Sequence, residues 1–171
     1  MASEVIVRNI ELADAPIMAA AFAAVGWRNK SEVKFRRYFR AQQTGSRDVL
    51  VALYAGEFGG YGTIAWEPNY PPFRESGIPE IQDLNVLPRF RRRGVATAIM
   101  DEAESRIASR SPVAGIGVGL YADYGPAQRM YVLRGYVPDG KGITFHDEYV
   151  SGGDEVVADD DLILFLTKRL H

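Results

Sequence analysis

The segment that most constrains this chain is LNVLPRFRRRGVATAIMDEA, residues 84–103, where a strand pattern turns into a helix pattern across a short arginine run. Upstream, EIQDLNVL (80–87) reads as a strand, with Ile81, Asp83 and Asn85 on one face and Gln82, Leu84 and Val86 on the other. Pro88 ends it, because proline has no N–H to give to a sheet ladder. Downstream, Val95, Ile99, Ala103 and Ile107 recur every four residues, with Met100 alongside, which predicts an amphipathic helix from Gly94 to about Ser109. The first N–H groups of such a helix lack intrahelical partners and lie at the positive end of its dipole. Gly94 and Ala96 leave that backbone open, Thr97 adds a hydroxyl, and Arg91, Arg92 and Arg93 add charge. A di- or triphosphate-sized anion suits this junction. Read alone, the run also fits a solvated charge cluster or a nucleic-acid patch.

Charge and composition narrow those alternatives. Twenty basic residues face 22 acidic ones, a net charge of −2, whereas a general nucleic-acid binder carries a basic excess over the whole domain. An acidic run, DEVVADDD (154–161), offsets the arginines. It reads as a solvated turn or as a guide for a cationic acceptor. The absence of cysteine excludes disulfides, thiolate metal sites and a cysteine-bound acyl intermediate. Two histidines, His146 and His171, leave Ser-His-Asp chemistry and histidine-rich metal sites almost nothing to use. No apolar stretch is long enough to span a bilayer and no leader precedes Ser3-Glu4, so the expected location is the cytoplasm, with no membrane partner.

The remaining segments alternate strands with helices. Val5-Ile6-Val7 predicts a first strand, and LADAPIMAAAFAAVGW (12–27) a helix with Asp14 as N-cap. SEVKFRRYFRAQQTG (31–45) predicts a second helix, capped by Ser31 and closed by Gly45. DVLVALYAGEFGGYGTIAW (48–66) reads as a hairpin and EPNYPPFRESGIP (67–79) as an ordered loop. VAGIGVGLY (113–121) is a buried-type strand, YGPAQRMYVLRGY (124–136) a short helix, and DLILFLTKRL (161–170) a closing strand. His146 falls in a glycine-rich loop, where a lone histidine is a surface residue more often than a ligand. The expectation is one α/β domain over residues 1–171 with a mixed sheet.

Two segments resemble a known family. Arg91-Arg92-Arg93-Gly94-Val95-Ala96, after Leu84-Asn85-Val86-Leu87-Pro88, is similar to the acyl-CoA signature of the GNAT superfamily of N-acetyltransferases. ADYGPAQRMYVLRGYVPDG (122–140) resembles the superfamily's second motif, with Ala127 four residues before Tyr131 and Gly135-Tyr136 following. Tyr124 stands where that motif often has asparagine, so the contact credited to the asparagine is in question here. The resemblance covers roughly residues 5 to 139. It implies an α/β (α+β) fold, a mixed and mostly antiparallel sheet of six to seven strands flanked by about four helices.

The resemblance also implies a reaction: direct transfer of acetyl from acetyl-CoA to a primary amine of a small molecule or peptide, through a ternary complex and without a metal. The runner-up is a non-catalytic acyl-CoA-binding or sensing domain. Pyrophosphate contacts fall on Arg91, Arg92, Arg93, Gly94, Val95, Ala96 and Thr97, and the pantetheine arm on Leu84, Asn85 and Val86. Tyr124 and Gln128 are further cofactor contacts, and Arg89 is one candidate for the 3′-phosphate. Tyr131, at the family's tyrosine position, assists the leaving thiolate, and a backbone N–H near Val86 serves the oxyanion. Asp83 is the expected base, with Glu80 as its alternative. Trp27, Tyr70, Phe73 and Arg74 are expected to line the acceptor pocket, and a homodimer is compatible with the exposed strands of such a fold.

Overall fold

The computed structural model describes residues 4–171. In chain order the elements are β1 (Val5–Asn9), α1 (Asp14–Ala24), α2 (Glu32–Gln43), β2 (Arg47–Tyr54), β3 (Glu57–Ala65), α3 (Pro71–Glu75) and β4 (Glu80–Val86). A 3-10 turn (Pro88–Phe90) leads to α4 (Val95–Ala108), followed by β5 (Val113–Gly119), a second 3-10 turn (Ala122–Tyr124) and α5 (Gly125–Leu133). Then come β6 (Val137–Phe145), β7 (Glu148–Tyr149) and β8 (Leu162–Arg169). Among the described residues there are thus eight strands and five α-helices, close to the expected number. The chain gathers into two compact units, residues 4–66 with 81–106, and residues 67–80 with 107–171.

In the first unit the strands follow the order β1-β2-β3-β4. β1 and β3 each pair antiparallel with β2, through registers such as Val7↔Ala52 and Val51↔Tyr61. The predicted hairpin is present, with Val49 to Ala52 wholly buried. Phe22 of α1 and Phe35 of α2 pack edge-on against Tyr61 of β3, with ring centroids 5.7 and 5.2 Å away. These aromatic contacts fasten both helices to the sheet. Val95, Ile99, Met100 and Ala103 form the buried stripe of α4, as their spacing predicts. Gly60 is required by proximity: a Cβ there would meet the Asn85 carbonyl oxygen at 2.5 Å and Val86 Cα at 3.1 Å. β3 and β4 therefore run close together at the segment that matters below.

Ser31 caps α2 as expected, accepting the Lys34 N–H at 3.3 Å. Asp14 does not cap α1: Ala13 takes the N-cap position and Asp14 is the first helical residue. Its carboxylate turns back to accept from the Glu11 N–H at 2.7 Å and pairs with Arg8 at 2.7 Å. An arginine on β1 thereby competes successfully for the group that would have reached into the helix.

The second unit has the strand order β5-β8-β6-β7, antiparallel throughout. Two departures from the sequence reading lie here. Within the expected ordered loop, Pro71-Pro72-Phe73-Arg74-Glu75 forms the short helix α3; its prolines occupy opening positions, where no N–H is needed. The glycine-rich segment before the acidic run supplies β6 and β7, with Pro138 at a break in the β6–β8 register. Tyr70, Phe73 and Phe165 form a buried aromatic cluster in this unit.

Candidate functional site

The junction after β4 is built as a helix N-terminus with open amides. Phe90 is buried and packs on Tyr54 with ring centroids 5.5 Å apart, which anchors the turn. Two residues then adopt the left-handed conformation, Arg92 at φ 60° and Gly94 at φ 78°. A Cβ on Gly94 would meet no atom within 4 Å, so glycine serves the backbone conformation there and leaves open space outside it. The Ala98 N–H donates to the Gly94 carbonyl at 2.9 Å, so the amides of Val95, Ala96 and Thr97 precede the helical ladder. Val95 is buried, Ala96 half-buried and Thr97 exposed. A cavity of about 460 Å³ opens beside Gly94 and Thr97, bordered also by Tyr54, Arg93 and Asp101.

The arginines differ in their commitments. Arg89 pairs with Glu57 at 2.9 Å, and its guanidinium lies 4.6 Å from the Phe90 centroid. Arg93 reaches the Tyr54 hydroxyl at 3.4 Å, and Arg91 sits 5.8 Å over the Trp27 ring. Arg92 makes no hydrogen bond, ion pair or ring contact with another described side chain, which leaves its guanidinium uncommitted. Trp27 is half-buried, stacked on Phe22 at 5.5 Å. It is therefore placed between the aromatic core and Arg91, with limited free surface for an acceptor.

β4 departs from strand geometry at Asp83, where φ is 53°. Its alternation of faces is consequently broken. The Asp83 carboxylate gathers two cations and two phenols: Lys30 Nζ on Oδ1 at 2.6 Å, Lys34 Nζ on Oδ2 at 2.8 Å, and the Tyr38 and Tyr61 hydroxyls on Oδ2 at 2.9 and 2.5 Å. Asn85 Nδ2 adds bonds to both the carbonyl and Oδ1 of Asp83 at 2.9 Å, bracketing the turned residue. Burial alone would raise the carboxyl pKa, but the charges and hydrogen bonds of Lys30 and Lys34 hold it well below the usual carboxylate range. Burial, reinforced by the Asp83 charge, pushes the Tyr61 and Tyr38 hydroxyls upward, and burial lowers Lys30 despite Asp83. As placed, Asp83 is a poor proton acceptor. The expectation that it serves as the base conflicts with this geometry, since every lone pair already receives a donor.

The sequence reading singled out Asp83 and missed its four partners. A signal was present: Lys30, Lys34 and Tyr38 recur at four-residue spacing into α2, a polar line beside the apolar one.

In the second unit, Tyr131 of α5 is buried, with its ring edge-on to Tyr136 at 6.1 Å. Its hydroxyl has no hydrogen-bond partner among the described residues, yet it is not sealed from solvent. Burial pushes this phenol up to about 12. The ring is fixed and the hydroxyl is free, the arrangement expected of a donor to something outside the chain.

Tyr124 and Gln128 are engaged elsewhere. The Tyr124 ring lies against Gly119 and its hydroxyl donates to Asp160 at 2.8 Å, while Tyr121 donates to the same oxygen. Gln128 Nε2 donates to the Gly119 carbonyl at 2.8 Å. The acidic run is therefore tied down through Asp160 and is more than a solvated turn. His146 is 62% exposed on the turn after β6, 3.3 Å from Asp161.

Of the acceptor candidates in this unit, Phe73 is 1% exposed and Tyr70 3%. The Tyr70 ring stacks on Phe165 at 3.6 Å and its hydroxyl donates to Asp139 at 2.7 Å. Both side chains are buried, at odds with the expectation that they line an acceptor pocket. Tyr70 also borders a cavity of about 420 Å³ with Pro71, Glu75, Lys141 and Tyr149. Arg74 is exposed and donates to the Asn69 carbonyl at 3.3 Å. Among the described residues no cluster of His, Asp or Glu side chains is gathered for a metal, and no helix is long and apolar enough to cross a membrane.

Comparison with known proteins matches residues 14–136 to the Acetyltransferase (GNAT) family. No curated protein matches the sequence. Among solved structures, YncA from Salmonella typhimurium, determined with its cofactor acetyl-CoA, superposes with a TM-score of 0.69 at 17% identity, covering 98% of this chain and 95% of its own. The acetyltransferase that modifies the N-terminal serine of ribosomal protein L7/L12 in the same organism gives 0.72 at 12% identity, covering 98% and 95%. A chimera of the spermidine N-acetyltransferase SpeG from Vibrio cholerae gives 0.69 at 12%, covering 98% and 96%. At these identities the likeness is one of fold, and the acceptors named for the three proteins are their own.

Proposed function

Because the chain belongs to the GNAT acetyltransferase family, we propose that residues 1–171 act as one N-acetyltransferase domain, moving acetyl from acetyl-CoA directly to a primary amine. The observation that carries this reading is the open helix N-terminus at Gly94. Left-handed turns at Arg92 and Gly94 expose the amides of Val95, Ala96 and Thr97, with Arg92 uncommitted beside them. The pyrophosphate is held by those amides and by Arg91 to Arg93, and the pantetheine arm follows Leu84 to Val86.

In the reaction a neutral amine attacks the thioester carbon, a C–N bond forms, the C–S bond breaks with the thiolate leaving, and the amine proton passes to solvent water. A backbone N–H beside the irregular stretch of β4 serves the oxyanion, near the left-handed backbone at Asp83. Tyr131 donates a hydrogen bond to the departing sulfur. With its phenol near 12 against about 8.5 for a thiol, full proton transfer is uphill by roughly 5 kcal/mol, so hydrogen bonding is the step it performs. No side chain needs to become acylated, in keeping with a chain that has no cysteine.

That composition also simplifies the test. A thiol reagent such as DTNB reports only released CoA, because the protein contributes no thiol. The expected outcome is steady CoA release from acetyl-CoA with a panel of amines, and its loss in Gly94→Glu together with acetyl-CoA binding by calorimetry. Normal acetyl-CoA binding by Gly94→Glu would overturn the cradle.

A further inference from the structure

We propose that Lys30 and Lys34 form a subsite for an anionic oxygen group of the acceptor, so that the acceptor is an amine that also carries an acid, of the amino-acid class. This rests on reading the chain as an N-acetyltransferase, and it names the substrate of that reading.

Charge around Asp83 is unbalanced. Two ammonium groups converge on its single carboxylate, at 2.6 and 2.8 Å. Their side chains are only 10% and 21% exposed, so the unmatched positive charge is held largely out of water. Surplus charge in such a place favours an anion that completes the pairing. Arg47 adds to the imbalance, its guanidinium 5.3 Å from the Tyr38 centroid while it donates to Thr63.

The carboxylate cannot supply more. Its two oxygens already accept from Lys30, Lys34, Tyr38, Tyr61 and Asn85. Each ammonium has three N–H donors and spends one on Asp83. Lys30 also lies 5.6 Å from the Tyr61 centroid and Lys34 5.4 Å from that of Tyr38, ring faces that position the ammoniums without consuming their donors. The remaining N–H groups are available to a second oxyanion. Because Asp83 already fixes both lysines, little ordering remains to be done when that oxyanion arrives.

Place and spacing specify the ligand further. Asp83 is directly followed by Leu84 to Val86, the stretch assigned to the pantetheine arm. An acid held at the lysines is then within a residue or two of the stretch that carries the pantetheine arm to its reacting end. That separation suits an amine and an acid on the same or adjacent carbons. A polyamine would bring like charge to the same point.

The test compares amino acids with their carboxamides and decarboxylated amines as acceptors, and measures binding of N-acetyl amino acids and their amides by calorimetry. The expected result is a kcat/KM at least about 10-fold higher for the acids, carried by KM. In Lys34→Gln the acid-over-amide ratio falls by about 10-fold or more, Lys34→Arg recovers part of it, and Lys30→Met, checked for unchanged melting, behaves like Lys34→Gln. Amides and amines serving as well as acids, with CoA still released, would overturn the subsite and leave the transferase standing. Lys34-dependent binding of N-acetyl amino acids without any turnover would do the reverse: the subsite would stand and the transferase reading would fall.

Discussion

At Asp83, two ammoniums and two phenols converge on one carboxylate that lies on a left-handed turn of a strand, and this arrangement fixes how the residue answers to pH. Its pKa is lower folded than unfolded, so the stability it contributes is fully present above the unfolded value near 4. That contribution is lost as pH falls through the folded value, well below the usual carboxylate range. Asp83→Asn leaves two lysines uncompensated. The expected cost at pH 7 is about 2–3 kcal/mol by urea denaturation, under the roughly 3–5 kcal/mol of a fully buried pair because the side chain retains some exposure. The gap between variant and parent should narrow below about pH 4, as the parent's advantage titrates away. Asp83 also gives no break in kcat/KM at neutral or mildly acid pH; the rate there should follow deprotonation of the acceptor's own ammonium. Tyr131 carries the complementary prediction. Tyr131→Phe keeps the ring in its packing and removes the free hydroxyl, so kcat should fall by about 10- to 100-fold while KM for acetyl-CoA stays close to that of the parent.

Elements were legible in proportion to how local their causes are. α4 and the β2–β3 hairpin follow from periodicity, and Ser31 from its own side chain. The left-handed turn at Asp83 was not legible, because what holds it, Lys30 and Tyr38, lies 53 and 45 positions away in the chain. Periodicity likewise placed Ile81, Asp83 and Asn85 on one face, an alternation that the turn interrupts. The prolines of residues 67–79 suggest an ordered loop, and the family resemblance puts Tyr70 and Phe73 on the acceptor pocket; two of those prolines instead open α3, and both rings lie in a buried aromatic cluster. At this scale the close approach of β3 to β4 is the sharpest test. The Cβ introduced by Gly60→Ala would strike the Asn85 carbonyl oxygen and Val86 Cα, backbone atoms that cannot swing aside as a side chain would. The strands must part, at an expected cost of about 1–3 kcal/mol. Acetyl-CoA affinity should drop with it, since Leu84 to Val86 are the atoms displaced. An unchanged Tm together with unchanged affinity would show that the close approach does not govern that strand.

The two compact units raise a question that belongs to the whole molecule: whether each is stable without the other. Their boundary falls inside β4, between Glu80 and Ile81, and inside α4, between Arg106 and Ile107, so neither unit is one continuous stretch of chain. The family match, residues 14–136, takes in parts of both. Cutting a helix or a strand at such a boundary leaves backbone donors and acceptors without partners, which opposes independent unfolding. Calorimetry should therefore record one transition for residues 1–171, with van't Hoff and calorimetric enthalpies in agreement. Acetyl-CoA at about 100 times its Kd adds about 2.7 kcal/mol to the folded state. For a chain of this length that corresponds to roughly 5–10 °C in Tm, applied to the whole transition. Two resolved transitions, with acetyl-CoA moving only one, would mean that the cradle and Tyr131 belong to separately folding bodies. The single-domain reading would then fail, even if the pyrophosphate site itself were correct.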